Sequence, residues 1–179
     1  MFDLKNTFDR INSLALSALP LLARLTFAGV LTRYFWASAA TKLSGPFTPT
    51  FNAYAQVFPR KMEAAGYDIS GFGLFEWAVV MAGSYAEILL PVLLIVGLFT
   101  RLAALGMVGF VLVQSLTDVI GHGVDPATVG AWFDRASDAL ILDQRSFWML
   151  GFAVLIGLGG GWASLDRLIW NRVQAKTAA

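Results

Sequence analysis

The chain has 179 residues, of which 57% are hydrophobic and only 14% charged, and its formal net charge is +1. A soluble domain carries roughly 25% charged residues, so this composition excludes an ordinary soluble protein and favours the bilayer. The small net charge, without a Lys/Arg cluster, excludes nucleic acid as an expected partner, and the lack of cysteine excludes disulfides and thiolate metal sites within the chain.

The first predicted element is an amphipathic helix over residues 1–19 that lies on the membrane surface. Its apolar residues recur at near-helical spacing and are interrupted by charges, as in interfacial helices. These apolar residues are Phe2, Leu4, Phe8, Ile11 and Leu14. The alternative is a frayed terminal segment.

Four apolar stretches follow, each long enough to cross the hydrocarbon core, which takes about 20 residues. They cover approximately residues 20–43, 73–99, 102–120 and 146–163. Only Thr100 and Arg101 separate the second stretch from the third, so these two form a tight antiparallel hairpin. The sequence therefore predicts an all-α membrane protein, with a four-transmembrane-helix bundle over residues 20–170 and a tail over residues 171–179.

The two long connections carry signals for short helices. The first, over residues 44–72, contains three prolines and a stretch, 51–65, that is expected to be helical. The second, over residues 121–145, contains the helix-start signal Asp125-Pro126 before an amphipathic stretch, 127–142. Both connections lie on one side of the membrane, and both termini lie on the other. The distribution of Lys and Arg near the span ends favours cytoplasmic termini in a multi-pass protein of the bacterial inner membrane.

Four charged residues fall inside the predicted spans: Arg24, Arg33, Glu76 and Glu87. A charge inside the bilayer costs at least about 2.5–3.5 kcal/mol, so it faces the bundle interior or water and usually finds a partner. Arg24 is close enough to the end of its span to reach the surface. Arg33 and Glu87 are expected near the midplane, paired or in one network, and Glu76 shares a helix face with Glu87.

Neighbouring residues extend this prediction to a midplane polar site of Arg33, Tyr34, Glu76 and Glu87. Pro91, one turn after Glu87, frees a backbone carbonyl at that level. The alternative interpretation is a buried ion pair that only fixes the register of two helices.

Polar residues at the end of the third span are interpreted more simply. Gln114 and Asp118 are four residues apart and share a face, as expected for an ordinary interfacial helix end. His122, the single histidine, is expected to be an exposed loop residue. It is a weak metal candidate, because binding would require Asp118, Asp125 or a second chain, and no metal site is predicted.

Three motifs in this order resemble the DoxX family of small four-span membrane proteins. The first is an early arginine with a lysine-leucine exit, Arg24 and Lys42-Leu43. The second runs from Ala86 to Leu105 and contains a glutamate, proline, glycine, leucine, threonine and arginine in the family's order. The third is the glycine-rich exit at 159–161 followed by Ser164-Leu165-Asp166. The resemblance covers about residues 20–170, and the long connection 121–145 departs from many relatives. The positions that match the family are Arg24, Lys42, Glu87, Pro91, Gly97, Arg101, Ser164 and Asp166.

This resemblance implies several kinds of function. Some family members are subunits of a thiosulfate:quinone oxidoreductase, others act with thiol-oxidising or oxidative-stress partners, and others are encoded beside machinery for copper-binding peptides. The first hypothesis is therefore an accessory subunit of a membrane redox system that binds quinone at the midplane site and depends on a partner for electrons. The alternative is a non-enzymatic scaffold or transport accessory for a metal-handling or stress-response partner. Both imply a protein partner or a homo-oligomer, and a small transporter is the third hypothesis.

Overall fold

The computed structural model describes residues 4–177, and it is almost entirely α-helical. Residues 1–3 of the predicted N-terminal helix, including Phe2, and residues 178–179 of the predicted tail lie outside the described part of the chain. Four helices within it are long and apolar enough to cross a membrane: Leu4–Val30, Leu74–Val96, Thr100–His122 and Leu140–Leu158. The prediction of an all-α membrane bundle with four spans is confirmed.

Two helices build the first crossing. Helix α1 (Leu4–Val30) runs through Pro20 without a break, and after a bend at Leu31 helix α2 (Thr32–Lys42) continues it. Residues 4–19 are exposed along their whole length, and Pro20 is the first buried residue. The predicted amphipathic segment and the predicted first span thus meet inside one continuous helix.

The first long connection packs against the next span. Strands β1 (Leu43–Gly45) and β2 (Thr48–Pro49) pair as an antiparallel hairpin, and helices α3 (Phe51–Val57) and α4 (Pro59–Ala64) follow. The predicted helix over 51–65 is therefore two helices, because Pro59 begins a second one. The hydroxyl of Tyr85 donates to the Pro46 carbonyl at 2.5 Å. This bond ties the hairpin to the following helix.

The second and third spans form the predicted hairpin. Helix α5 (Leu74–Val96) ends at Gly97, whose φ of 68° lies in the left-handed region that glycine adopts at helix ends. Helix α6 (Thr100–Leu116) begins three residues after Gly97 and continues into a π-helical turn, π1 (Thr117–His122). The two spans are therefore antiparallel neighbours.

The second long connection is less helical than expected. Helix α7 (Pro126–Val129) holds only four residues, because Gly130 adopts a φ of 77° that ends it. The prediction of a helix over 127–142 is wrong in length. A second π-helical turn, π2 (Leu140–Gln144), leads into α8 (Arg145–Leu158), and α9 (Leu165–Thr177) follows.

The bundle has two chemically different ends. The terminal end is where Arg24, the α5–α6 hairpin and the α8–α9 junction meet, and the loop end carries both long connections. The apolar core lies mainly toward the terminal end. Its buried residues are Phe27, Leu31, Phe35, Leu94, Ala103, Ala104, Met107, Val111, Phe152 and Leu155. Many large apolar side chains on the outer faces of the spans are exposed, as a surface in contact with lipid requires.

Candidate functional site

A buried ion pair joins the end of α2 to the middle of α5. Lys42 Nζ lies 2.8 Å from Glu87 Oε1 and 2.9 Å from Oε2, and the two residues are 7% and 2% exposed. Lys42 also donates to Ser38 Oγ at 2.6 Å, and Ser38 donates to Glu87 Oε1 at 2.9 Å. All three N–H groups of the ammonium are used, so both charges are compensated despite their burial.

Lys42, and not Arg33, is the partner of Glu87. The predicted pairing of Arg33 with Glu87 is wrong, because Arg33 is exposed on α2. The two basic residues are nine positions apart, which on an α-helix places them on faces about 180° apart. Ser38 precedes Lys42 by one turn and shares its face, so it joins the pair.

The ion pair lies in the wall of a cavity of about 460 Å³ between α2, α5 and α6. A Cβ added to Gly83 or Gly109 would meet nothing within 4 Å, so both glycines leave open volume along the cavity. Valine, alanine and Phe110 side chains provide most of the remaining lining. The polar residues of the lining are Ser38, Lys42, Gln56, Glu87, Gln114, Thr117, Asp118 and His122.

Polar residues of α6 and π1 connect this cavity to other elements. Gln114 Nε2 donates to the Tyr34 hydroxyl at 2.8 Å, so Tyr34 reaches the site through Gln114. Asp118 Oδ2 accepts from Arg145 Nη2 at 2.7 Å, and Arg145 is only 2% exposed. Arg145 also donates to Ser115 Oγ at 2.8 Å. These bonds fasten the start of α8 to α6 and π1 beside the cavity.

His122 lies at the loop-end mouth of the cavity. Its Nε2 is 3.1 Å from the backbone carbonyl oxygen of Gln56, which links π1 to α3 across the opening. Gly121 contacts Pro59 closely, since an added Cβ would lie 2.8 Å from the proline Cγ. Within residues 4–177 no group of three His, Cys, Asp or Glu side chains could hold a metal ion.

Glu76 lies away from the cavity. It accepts hydrogen bonds from Lys61 Nζ and from the Gly73 backbone N–H, and it closes the first turn of α5. Of the four residues predicted for the midplane site, Glu87 lines the cavity and Tyr34 contacts it through Gln114. Arg33 and Glu76 have separate surroundings.

A second buried charge cluster, the terminal clamp, closes the other end of the bundle. Arg24 donates to the carbonyls of Leu94 at 2.9 Å and Ile95 at 2.6 Å, and to those of Gly160 at 2.8 Å and Ala163 at 2.7 Å. Carbonyls in the last turn of a helix lack partners within the helix and favour a nearby cation. Arg24 therefore joins the end of α5 to the α8–α9 junction instead of reaching the surface.

Asp166 completes the terminal clamp from the opposite direction. Its carboxylate accepts from the backbone N–H groups of Phe99 at 2.7 Å and Thr100 at 2.9 Å, and from the Thr100 hydroxyl at 2.7 Å. It thus caps the N-terminus of α6, where the helix dipole favours an anion. Arg101 donates to the Gly157 carbonyl at 3.1 Å near the end of α8.

The positions that match the family motifs therefore divide into two groups. Arg24, Gly97, Arg101, Ser164 and Asp166 surround the terminal end, while Lys42 and Glu87 flank the cavity. Pro91 is buried in α5 one turn beyond Glu87. The sequence analysis did not predict Lys42 as the partner of Glu87. Ser38 and Lys42 share a helix face, and this polar face was the available sign that α2 contributes to the site.

Comparison with known proteins gives one match. A family model described as DoxX matches residues 19–122, which is more than half of the chain. The matched stretch contains every residue that lines the cavity but ends before Ser164 and Asp166, so it is shorter than the predicted 20–170. No curated protein and no solved structure matches the chain. Because the match covers the first three spans and π1, the chain belongs to the DoxX family.

Proposed function

We propose that the chain is a membrane subunit of a redox system and binds a quinone in the cavity beside Lys42 and Glu87. The observation that carries this proposal is a charge-balanced polar group set into the wall of a mainly apolar cavity inside the bundle. Quinones combine a flat ring bearing two carbonyls with an apolar tail, and they require both kinds of surface.

The size and shape of the cavity suit such a ligand. Small-molecule sites occupy about 300–1,000 Å³ and are mostly apolar with a few placed polar groups, and this cavity holds about 460 Å³. Gly83 and Gly109 keep its α5 and α6 walls open. The Phe110 ring adds a flat apolar surface.

The charges favour a neutral ligand over an anion. The positive charge of Lys42 is matched by Glu87, and the negative charge of Asp118 is matched by Arg145. An anion would therefore enter a site without a free positive charge among the described lining residues, at a large desolvation cost. A quinone carries no charge and avoids this cost.

Hydrogen-bond donors are within reach of a ligand carbonyl. One N–H of Lys42 points to the Ser38 hydroxyl, and an ammonium rotates freely enough to redirect a donor. The amide group of Gln114 is a further donor in the lining. When bound, a quinone supplies chemistry involving two electrons and two protons. Lys42 and Glu87 would lie beside it, and the electrons would come from a partner protein.

The proposal also includes the membrane in which the protein lies and its orientation there. We place it in the bacterial inner membrane, with the terminal end facing the cytoplasm. Lys and Arg near the span ends of the terminal side favour this orientation. Membership of a family in which some members are subunits of a thiosulfate:quinone oxidoreductase supports the redox context.

Mass spectrometry of lipophilic extracts tests the proposal. The chain is purified in native membrane discs, and its quinone content is compared with that of Gly83→Leu, which fills the cavity and keeps both residues of the ion pair. We expect stoichiometric quinone in the parent protein and its loss in the variant. Gly29→Leu is the matched control, because Gly29 has the same open surroundings but lies on the exposed face of α1. Absence of quinone from the parent, or equal retention in both variants, contradicts the proposal.

A scaffold function for a partner protein is the second candidate. It is favoured by an exposed aromatic pair on the loop end, Trp132 and Phe133, which are 65% and 104% exposed. Phe133 also has a positive φ of 69°, which a bulky residue rarely adopts. If this pair docks a stress-response or metal-handling partner, Trp132→Ser/Phe133→Ser abolishes co-purification of that partner and leaves quinone content unchanged. Loss of quinone without loss of a partner would reject the scaffold function.

A further inference from the structure

Polar residues line only one half of the space between α5 and α6. Glu87 lies nine residues before the terminal end of α5 at Val96, which corresponds to about 14 Å along the helix. His122 lies 22 residues after the start of α6 at Thr100, or about 33 Å. The cavity lining thus extends from the middle of the bundle to its loop end, and Gln114, Thr117 and Asp118 lie between these limits.

The other half is sealed by apolar packing. Leu94, Ala104 and Met107 are 0% exposed, and they lie on the terminal-end side of Glu87 along α5 and α6. Below them the terminal clamp closes the bundle, with the Arg24 guanidinium bonded to four carbonyls. A Cβ added to Gly97 or Gly160 there would lie 2.6 Å from a neighbouring side chain, so little space remains.

The loop end of the cavity is closed by much weaker contacts. Its mouth is formed by Gln56 and Val57 on α3 and by His122 on π1. The contact between His122 Nε2 and the Gln56 carbonyl spans this mouth, and His122 is exposed. Exposed hydrogen bonds of this kind open at low free-energy cost.

From this asymmetry we infer that water reaches the Lys42–Glu87 pair only from the loop end, through the mouth between α3 and π1. The inference deepens the proposed function, because it fixes the side on which the site exchanges protons, yet it does not depend on the identity of the ligand. Asp118, held by Arg145, and His122 then line the aqueous route to Glu87.

Single-cysteine labelling tests the inference directly, because the natural chain contains no cysteine. Ala86→Cys places a thiol in the cavity lining next to Glu87, and Thr117→Cys places one nearer the mouth. Each variant is treated with a charged, membrane-impermeant thiol reagent, first on intact cells and then on inverted membrane vesicles. Ser137→Cys and Ala175→Cys, both at exposed positions, report which preparation presents the loop end and which the terminal end.

Two further variants show whether the charged reagent labels only thiols that are exposed to water. One thiol lies in the protein core and the other faces lipid. Ala104→Cys is the matched control for Ala86→Cys, since Ala104 is fully buried in the apolar core on the terminal side. Ala153→Cys lies on the exposed face of α8 inside the fourth span, where the surrounding medium is lipid. A charged reagent is expected to label neither of them from either side.

The expected result is labelling of Ala86→Cys and Thr117→Cys from the face that labels Ser137→Cys, and complete loss of that labelling from the face that labels Ala175→Cys. Labelling of Ala86→Cys from the terminal face overturns the inference. So does modification of Ala86→Cys by an uncharged, lipid-permeant reagent alone, because the cavity would then open to lipid. Quinone content of the same membranes is measured separately, so a failure of access and a failure of ligand binding remain distinguishable.

Discussion

The two buried charge clusters of this protein differ in the space around them. In the terminal clamp, Arg24 and Asp166 bond mainly to backbone groups at helix ends. Lys42 and Glu87 bond to each other and to Ser38, and an open cavity of about 460 Å³ adjoins them. Buried charges therefore join helix ends at one end of the bundle, and at the other they form an ion pair beside free volume.

Glycine residues show the same contrast. A Cβ on Gly97 would lie 2.6 Å from the Ser164 Cβ, so this glycine permits close packing. A Cβ on Gly83 or Gly109 would meet nothing within 4 Å, so these glycines maintain a void. Glycine content alone cannot distinguish the two uses, because the difference lies in what faces each Cα.

Replacing Arg24 by methionine is expected to have the largest effect. Four carbonyls lose their donor at once, and the cost should equal or exceed that of breaking a buried ion pair, about 3–5 kcal/mol. The free energy of unfolding in mixed micelles measures it. Arg33→Met, an exposed arginine on the same span, serves as control and should change stability by less than about 0.5 kcal/mol. Equal effects of the two variants would show that the terminal clamp does not stabilise the bundle.

Breaking the ion pair of Lys42 and Glu87 should have the second-largest effect on the free energy of unfolding. Glu87→Met leaves the Lys42 ammonium buried without its counter-charge, at a cost of about 3–5 kcal/mol. The double variant Lys42→Met/Glu87→Met removes both charges and is expected to recover most of this stability, while quinone stays lost. A double-mutant cycle measures the coupling energy. Purely additive effects would mean that the two side chains do not act as a pair.

Replacing Gly97 and Gly83 by alanine should change the free energy of unfolding in opposite directions. Gly97→Ala combines a φ of 68° with a steric clash and should cost about 1–3 kcal/mol. Gly83→Ala enters open space within a helix and should be neutral or stabilising by up to about 1 kcal/mol. Thermal unfolding of the two variants beside the parent measures both values. Destabilisation by Gly83→Ala would argue that the cavity wall is tightly packed.

The smallest predicted effect is local and depends on pH. Asp125 caps α7, and hydrogen bonds from the backbone N–H and hydroxyl of Thr128 lower the pKa of its carboxyl group. The cap therefore contributes fully above the ordinary aspartate pKa, and its contribution is lost as the pH falls through the lowered value. Amide hydrogen exchange at Thr128 should accelerate over that acidic range relative to its intrinsic rate. Asp125→Asn keeps a capping oxygen and should remove this pH dependence. If exchange at Thr128 in Asp125→Asn depends on pH as in the parent protein, a group other than Asp125 causes the dependence.

The sequence predicted the four spans because apolar length and helix-breaking residues are local properties. It also predicted the α5–α6 hairpin and the intramembrane position of Glu87. It did not predict the pairing of Glu87, because helical spacing fixes faces within one helix but not the rotation of one helix against another. Depth in the membrane alone favours Arg33, whereas Lys42 reaches Glu87 through its long flexible side chain from the end of α2.

Tertiary contacts also explain the other differences. Arg24 was expected to reach the surface, yet the unpaired carbonyls that hold it come from residues about 70 and 136–139 positions away. The stretch 127–142 has helical apolar spacing, but Gly130 ends α7 after four residues. The local sequence predicts an ordinary helix end at Gln114 and Asp118, because it contains no sign of the facing Tyr34 and Arg145.

The π-helical turn π1 makes the loop end tolerant of a one-residue change in chain length. A π-helical turn accommodates more residues than an α-helical turn and rotates less at each residue. Deleting Val119 would therefore restore α-helical geometry and leave His122 facing α3. Related sequences could thus differ by one residue between Gln114 and His122 and still keep the contact between π1 and α3.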